Sequence, residues 1–516
     1  RGEVISFELD FLPQADGREA HFVFGGDLFD HGPGDLRLAT ALVDFKARFP
    51  DRVHLIAGNR DLNKLRLLTE LDEHVLALPP SHPSAFFPYW QQPKYVTTLA
   101  QYLERRAKVA RRVTKGAAAE YTALDFVPKS WRETGTKKQQ QQDGRDLNRV
   151  ERLRWILRHT MGAPDAFENR RHELGILGHA RSNEEVEVSD MDVFRSFQGS
   201  VEQGGIVRDY MEQTQLMLIL GDSMYVHGAI RDCNVGWVPP LLSSSSSSSS
   251  SSTSIHTDAF AWCRALNEWQ RHQMRAWRVA GSNLTAEPFF KKWERLQDDA
   301  PAAEVGRHLP QDHPMRLRAG GCLMDYGVPG GAEGKAVVHS SWLDVEHRPD
   351  PAAVGSGRVS AMITNAGIAR VVTGHVPHGD CPTMLRGGGG DGDDNDSFAV
   401  LMCDTTYCAG TPGDWHSRGD TAVEVLVESG EAVNPKRGKA SSCRIHGMFV
   451  DGESFDFCVE DWAQEMGKAM PDGRYVGHPR PDTGEFALWL PGKPFPSNLE
   501  LSAMPFAEVR RLLGIM

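Results

Sequence analysis

The sequence predicts an α/β fold, and three features of the chain carry this prediction. Short apolar runs, typical of parallel strands covered on both faces, alternate with amphipathic helical segments. Several of these runs end in a glycine followed by a polar side chain, as in the stretch FVFGGDLFDHGPGD at 22–35. The composition, 40% hydrophobic and 24% charged, is that of a globular protein with a core. We therefore expect ligand-binding side chains at the carboxyl ends of the strands.

The first strand–helix–strand unit is expected near the start of the chain. An apolar strand ends at Phe24, and apolar residues at helical spacing between 38 and 49 predict a helix that Pro50 terminates. A second apolar strand, RVHLIA, follows at 52–57. A strand, a helix and a strand in this order predict a right-handed crossover in a parallel sheet.

Later segments predict further elements of both kinds. The stretch from Leu216, LMLILGDSMYVHGAI, predicts a third strand, and the aromatic stripe of the helix that contains Trp262 and Trp269 predicts core packing. A helix closed by Gly367 precedes another strand. The alternating segment around Asp451 and Gly452 predicts a β-hairpin.

These elements suggest a core interrupted by insertions. Arg170 and Arg171 lie in the first insertion, where we expect solvated side chains rather than contacts with a second phosphate. The expected segments are 1–94, 213–240 and 321–410 for the core, 95–212 for a helical insertion with a polar low-complexity loop, 241–320 for a serine-rich loop and a second helical insertion, and 411–516 for a β-rich C-terminal region.

Bulk properties exclude several classes of function. The net charge of −12 and the pI near 5.9 argue against extended nucleic-acid binding, because that mode needs a basic face. A small phosphate ligand bound by a few local side chains remains compatible with this net charge. The eight cysteines show no C-x-x-C pair, so we expect reduced thiols and a cytoplasmic location. No apolar run is long enough for a membrane span, so no membrane partner is expected.

Four predicted strands each lead into a loop with a metal-binding type of side chain. The loops are GGDLFDHG, GNRD, GDSMYVHG and TGHVPHGD, and they supply Asp27, Asn59, His227 and His375. Oxygen and imidazole donors together suit manganese, iron or zinc and suit calcium poorly. Each loop alone is ordinary turn chemistry, with a turn-capping Asp or a strand-end His as the alternative. In this order, the four loops predict one shared site.

This pattern resembles the calcineurin-like metallophosphoesterases, the superfamily that includes the Ser/Thr phosphoprotein phosphatases and the dinucleoside polyphosphate hydrolases. The matching motifs are Gly26-Asp27-x-x-Asp30-x-Gly32, Gly58-Asn59-x-Asp61, His227-Gly228 and Gly374-His375. The resemblance covers the strands and their loops. It implies an α/β core of two packed mixed β-sheets flanked by helices, with helical insertions and a β-rich C-terminal region.

The resemblance also implies roles for these residues. Asp27 would bridge two divalent metal ions (Mn, Fe or Zn), and Asn59, His227 and His375 would be ligands to one or the other. A hydroxide held by the ions would attack phosphorus in line. Asp61 completes the second motif and belongs to the catalytic set.

Asp30 matches an acid that, in the family, supports the metal ligands without binding the ions itself. The alternative is an acid at a helix N-terminus. His378, three residues after His375, has three interpretations: a late metal ligand, a general acid, or a loop histidine held by Pro377.

The chain departs from the family pattern at three places. The first motif, Asp-x-His, is missing: Asp10 is the nearest candidate and has no accompanying histidine, so we expect that the motif was upstream and lost, or was replaced. Arg60 stands where the family has a histidine that protonates the leaving group. An arginine cannot do so at neutral pH, but it can fork onto a phosphate. His31 replaces a family arginine.

These features predict a metal-dependent phosphohydrolase acting on a phosphorylated small molecule or nucleotide. Arg60 in place of an acid favours phosphoanhydrides such as nucleotide polyphosphates, because their leaving groups depart without protonation. Two alternatives remain: a catalytically impaired binding or regulatory protein with the same fold, and a protein Ser/Thr phosphatase. The sequence predicts no particular protein partner.

Overall fold

The computed structural model describes most of the 516-residue chain. The serine run at 243–252, the polar run at 137–143 and most of the glycine-rich acidic loop at 387–396 lie outside the described residues. The described ranges are 7–13, 18–76, 96–113, 147–182, 186–240, 255–280, 320–344, 349–355, 357–378, 381–387, 398–405, 421–428, 441–449, 452, 454–480, 483–490 and 500–515.

A three-stranded parallel sheet contains the first two predicted strands. Its strands are β1 (Phe22–Phe24), β2 (Val53–Ile56) and β3 (Thr214–Gln215), in the order β1-β2-β3. Helix α1 (Asp35–Arg48) connects β1 to β2 and ends just before Pro50, as the sequence predicts. The strand–helix–strand unit is therefore confirmed.

A five-stranded mixed sheet has the order β4-β5-β6-β8-β7. β5, β6 and β8 are parallel, whereas β4 and β7 run antiparallel to their neighbours. The strands are β4 (Met217–Leu220), β5 (Ser223–Val226), β6 (Arg370–Thr373), β7 (Thr383–Gly387) and β8 (Phe398–Met402).

The prediction of one long strand from Leu216 is wrong, because this segment forms the hairpin β4–β5. Gly221 has a φ of 60°, in the left-handed region that glycine adopts without a steric penalty. The Gly221-Asp222 pair therefore turns the chain between the two strands. Apolar character alone did not reveal the turn, because both halves of the hairpin are apolar.

Helices cover both sheets and occupy the described parts of the insertions. A helix at 147–155 (α6) continues into a π-helical turn, Ile156–Thr160. The other helices are α2 (Asn59–Lys64), α3 (Leu67–Glu70), α4 (Glu73–Leu76), α5 (Leu99–Val113), α7 (Ala166–Ser182), α8 (Asp190–Val201), α9 (Ile206–Glu212), α10 (Ala259–Ala280), α11 (Gly321–Tyr326), α12 (Pro351–Val354) and α13 (Gly357–Asn365), with a 3₁₀ turn at Ala332–Gly334.

One hydrophobic core joins the two sheets to these helices. Leu55 of the first sheet and Met224 of the second belong to the same cluster of buried residues. Trp262 and Trp269 of α10 are buried there, so their predicted role in core packing is confirmed. The helices of 95–212 share this core rather than forming a separate one.

Arg170 contradicts the expectation of a solvated side chain. It is buried, its guanidinium lies 4.2 Å from the ring centre of Phe197, and its Nη1 donates to Ser196. Arg171 is half-buried rather than solvated: it pairs with Glu168 and Asp190 and donates to the carbonyl oxygen of Val188. Both arginines contact α8: Arg170 lies against Ser196 and Phe197 in its middle, and Arg171 pairs with Asp190 at its start.

The C-terminal region consists of two antiparallel sheets and a final helix. The first of these sheets contains β9 (Thr421–Glu428), β10 (Ser442–Phe449) and β11 (Ser454–Cys458), and the second contains β12 (Tyr475–Arg480), β13 (Glu485–Leu490) and β14 (Glu500–Pro505). A 3₁₀ turn (Val459–Trp462) lies between the two sheets along the chain, and α14 (Phe506–Leu513) follows β14. β10 pairs with β11, so the predicted hairpin is confirmed. Ile445 and Phe457 pack against Leu401 of the five-stranded sheet.

The described part of the chain is thus a mixed α/β structure with several sheets. The first sheet is wholly parallel in this part, whereas the resemblance implies two mixed sheets. None of the described helices combines the length and the apolar character needed to cross a bilayer.

Candidate metal centre

Four strands from the two central sheets deliver the four predicted metal ligands. Asp27 and Asn59 follow β1 and β2 of the first sheet, and His227 and His375 follow β5 and β6 of the second. Each residue comes within three positions of the carboxyl end of its strand. Because both strand pairs are parallel, the two ligands from each sheet lie at the same sheet edge.

Glycines allow the first two loops to touch. Gly26 has a φ of 92°, and a Cβ there would lie 2.6 Å from the backbone nitrogen of Gly58. A Cβ on Gly58 would lie 2.1 Å from Oδ1 of Asp27. Asp27 and His375 adopt left-handed backbone conformations, with φ of 55° and 77°. Such conformations cost non-glycine residues of order 1–3 kcal/mol and occur preferentially at functional sites.

The side chains of the four residues converge. Nε2 of His227 is 3.2 Å from Oδ1 of Asp27. The side-chain oxygen of Asn59 is 2.9 Å from Nδ1 of His375 and 3.2 Å from Nε2 of His227. Ligand atoms of Asp27, His227 and His375 all lie within 4.8 Å of one another. The structure therefore brings together the four residues that the sequence assigns to one site.

A backbone carbonyl orients the imidazole of His227. Nδ1 lies 2.8 Å from the carbonyl oxygen of Gly25, which can only accept, so Nδ1 carries the proton and Nε2 faces Asp27 and Asn59. Burial alone would lower the pKa of His227, but the carboxylate of Asp27 and the Gly25 carbonyl raise it to about 9. Burial alone would raise the pKa of Asp27, but His227, Arg60 and His375 together outweigh burial and hold this pKa below its usual range.

His339 is a component of the site that sequence reasoning missed. Its ring meets that of His375 edge to face, with ring centres 5.1 Å apart, and its Nε2 donates to the carbonyl oxygen of Gly327 at 3.0 Å. Burial lowers the pKa of His339 to about 4. Burial, together with His339 and His227, lowers the pKa of His375 well below its usual value. His339 has no glycine turn beside it, so no local signal marks it.

The side-chain amide of Asn59 has two possible orientations, and they differ in whether the cluster suits a cation. With its nitrogen inward, the amide nitrogen lies 2.9–3.2 Å from four possible acceptors, on His227, His375 and both Asp27 oxygens, and its two N–H groups donate among them. With its oxygen inward, the amide oxygen, the Asp27 carboxylate and the ring nitrogens of His227 and His375 face one another, and either a proton on His227 or a cation among them offsets the repulsion of their lone pairs. Two imidazoles, a carboxylate and an amide oxygen suit Mn, Fe or Zn. The donor set therefore fits a divalent ion.

Asp61 lies behind the cluster rather than in it. It is fully buried, and its carboxylate accepts from the backbone N–H groups of Asp27, Leu28 and Gly58 at 2.9–3.0 Å. Burial and the nearby Asp27 charge raise the pKa of Asp61 to about 7. Since its oxygens are engaged with backbone, Asp61 holds the first two loops together and positions Asp27.

Two cations on α2, one turn apart, approach the carboxylate of Asp30. Lys64 Nζ donates to Oδ2 of Asp30 at 2.6 Å, and both side chains are buried. Arg60 places Nη1 3.5 Å from the same oxygen and Nε 3.8 Å from Oδ2 of Asp27. Asp30 precedes α1, so the acid in the first turn of that helix is Asp35 instead. Lys64 was not predicted as part of the site. Its position four residues after Arg60, one turn along the same helix, was the feature of the sequence that could have indicated it.

His378 forms its hydrogen bonds with residues outside the four-residue cluster. It is buried, its Nδ1 lies 2.7 Å from Oγ1 of Thr383, and its backbone N–H donates to the carbonyl of Asp404. This Nδ1 contact is that of a held loop histidine. His31 is half-buried in the loop after Asp30.

Comparison of the chain with protein-family models, with curated proteins and with solved structures finds no match.

Proposed function

We propose that this protein is a metal-dependent phosphohydrolase with a calcineurin-like metallophosphoesterase core. The observation that supports it is the convergence of Asp27, Asn59, His227 and His375 from four separate loops of two sheets. Divalent ions of the Mn, Fe or Zn type, when bound there, would activate water and offset negative charge on a phosphoryl group. The chain supplies the ligands and fixes their orientation.

Arg60 is the side chain best suited to bind the substrate. Its guanidinium is partly exposed, it lies beside Asp27, and its Nη1 makes no hydrogen bond. A guanidinium donates two parallel hydrogen bonds to a phosphate and stays charged at neutral pH. Arg60 therefore binds and orients a phosphoryl group but donates no proton to a leaving group.

This property favours phosphoanhydrides as substrates. An alkoxide leaving group needs a proton, whereas a phosphate or nucleotide leaving group is far less basic. We therefore propose nucleotide polyphosphates as the substrate class, ahead of phosphoserine proteins.

Hydrolysis assays with Mn²⁺ test this proposal. The substrates are a dinucleoside polyphosphate, an aryl phosphate and a phosphoserine peptide, each with the unmodified chain, Arg60→His and Asp27→Asn. We expect the dinucleoside polyphosphate to be the best substrate, Arg60→His to shift selectivity towards the peptide, and Asp27→Asn to abolish activity. A preference of the unmodified chain for the peptide would refute the leaving-group argument. Metal binding without hydrolysis of any substrate would favour the binding-protein alternative.

A further inference from the structure

We propose that Arg60, beside a single divalent ion, supplies the positive charge that a second ion supplies in a dinuclear centre. The inference rests on the proposed function, because it assigns the charges of the same phosphate site. It differs from the pair of ions that the resemblance implies.

The two carboxylate oxygens of Asp27 have different environments. Oδ1 is 3.2 Å from Nε2 of His227 and accepts from the backbone N–H of Arg60 at 2.9 Å. Oδ2 is 3.8 Å from Nε of the Arg60 side chain. A carboxylate that bridges two ions through both of its oxygens would direct one oxygen to each ion. Here one oxygen faces the histidine ligands and the other faces a guanidinium, so Arg60 lies on the side where a second ion would bind.

Asp30 and Lys64 hold Arg60 in this position. Lys64 forms the short hydrogen bond to Asp30, and Arg60 approaches the same Asp30 oxygen at the longer distance of 3.5 Å. Asp30 is thus largely neutralised by a buried partner and does not saturate Arg60. Nη1 of Arg60 is buried and makes no hydrogen bond. The rest of the side chain is partly exposed, so its other N–H groups can donate to an anionic oxygen of a bound phosphate.

The balance of charges supports one ion rather than two. Asp27 and Asp30 carry two negative charges, and Arg60 and Lys64 carry two positive charges, so these four side chains are neutral together. One divalent ion adds a charge that a phosphate dianion neutralises. Asp61 directs its oxygens to backbone amides and not to the cluster. Among the described residues, Asp27, His227 and His375 form the one group of three or more His, Cys, Asp or Glu side chains whose ligand atoms converge.

The test measures metal content and phosphate binding, and both readouts are independent of turnover. The full chain is loaded with Mn²⁺ and dialysed, and metal content is measured together with the electron paramagnetic resonance spectrum. Inorganic phosphate is then titrated calorimetrically into the loaded protein. The variants are Arg60→Ala and Arg60→Lys, with Arg195→Ala, an exposed arginine on α8, as the matched control.

We expect one equivalent of manganese, the signal of an isolated ion, and phosphate affinity that falls by about 10- to 100-fold in Arg60→Ala. Arg60→Lys should recover part of this affinity, and Arg195→Ala should behave like the unmodified chain. Two equivalents with an exchange-coupled signal would overturn the inference and leave the proposed function intact. Unchanged phosphate affinity in both Arg60 variants would also overturn it. A chain that binds no manganese would refute both proposals.

Discussion

Asp61 influences the candidate metal centre through the backbone of the residues around it. Replacing it by Asn keeps its size but places an amide N–H group against backbone donors. We expect Asp61→Asn to lower the free energy of unfolding by about 1–3 kcal/mol, because a buried donor loses its acceptor. Metal affinity should fall by about 10- to 100-fold, as is usual when a residue that orients a ligand is lost. Chemical denaturation and manganese titration measure the two effects.

The control for this change is Asp461→Asn, since Asp461 is exposed. If Asp61→Asn binds manganese as tightly as the unmodified chain while the stability falls, Asp61 is a structural residue with no influence on Asp27.

Gly58 is required because Asp27 occupies the space that a side chain would need. A Cβ at Gly58 would lie 2.1 Å from Oδ1 and 2.4 Å from the backbone nitrogen of Asp27. We expect Gly58→Ala to displace Asp27, to destabilise the fold by about 1–3 kcal/mol and to weaken manganese binding. Gly32→Ala is the matched control, because a Cβ there meets nothing within 4 Å. Equal manganese affinity in both variants would show that the two loops do not meet as described.

At the scale of elements, helix α7 of the first insertion caps the start of α1. Glu173 is fully buried, and its carboxylate accepts from the backbone N–H groups of Leu36 and Arg37 at 3.0 Å. These two groups belong to the first turn of a helix, where amides lack partners within the helix. The insertion therefore supports the helix that follows the Asp27 loop.

We expect Glu173→Ala to lower the free energy of unfolding by about 1.5–3 kcal/mol, because hydrogen bonds to a buried charge are lost. Urea denaturation measures this change, with Glu104→Ala, an exposed position on α5, as the control. A loss equal to that of the control would mean that α7 does not hold α1.

Asp35, in the first turn of α1, should make stability depend on pH. Burial is the largest cause that raises its pKa to about 7, and Asp30 and Glu173 act in the same direction against Arg170. The ordinary value is 3.8, so between about pH 4 and 7 the folded chain holds a proton that the unfolded chain has released. Stability contributed by this group therefore falls as the pH rises through that window.

We expect Asp35→Asn to reduce this fall, because Asn does not ionise. Unfolding free energies of both chains, measured in urea from pH 5 to pH 8, give the difference. Parallel curves for the two proteins would show that Asp35 ionises normally in the folded chain.

At the scale of the whole molecule, the candidate metal centre lies between the two central sheets. Two of its ligands come from the parallel sheet and two from the mixed sheet. A bound ion would therefore join the sheets in addition to their shared hydrophobic core. A ligand that binds only the folded state stabilises it by about 2.7 kcal/mol at one hundred times its dissociation constant.

We expect Mn²⁺ to raise the melting temperature of the full chain and a chelator to reverse the increase. His375→Ala should fold but show little response to manganese, because it lacks one ligand from the mixed sheet. Arg195→Ala should respond like the unmodified chain. An equal manganese-induced shift in His375→Ala would indicate that the ion binds elsewhere.

Local signals in the sequence determined the elements that hold the site. The apolar runs, the helical spacing up to Pro50 and the glycine turns identified β1, α1, β2 and β6, because these features depend on residues close together in the chain. The same signals indicated which side chains follow the strand ends. They failed at Gly221, where a turn lies inside an apolar segment.

Contacts between distant residues were decided only by the tertiary structure. Asn59 and His375 are 316 residues apart, and no local pattern reports the 2.9 Å between their side chains. The bonds of Asp61 to three backbone amides, the pairing of Asp30 with Lys64 and the packing of His339 on His375 are of the same kind. The sequence by itself determined the chemical types at the strand ends, since these follow from local patterns. The tertiary structure alone decided which atoms meet, because that depends on how the sheets pack.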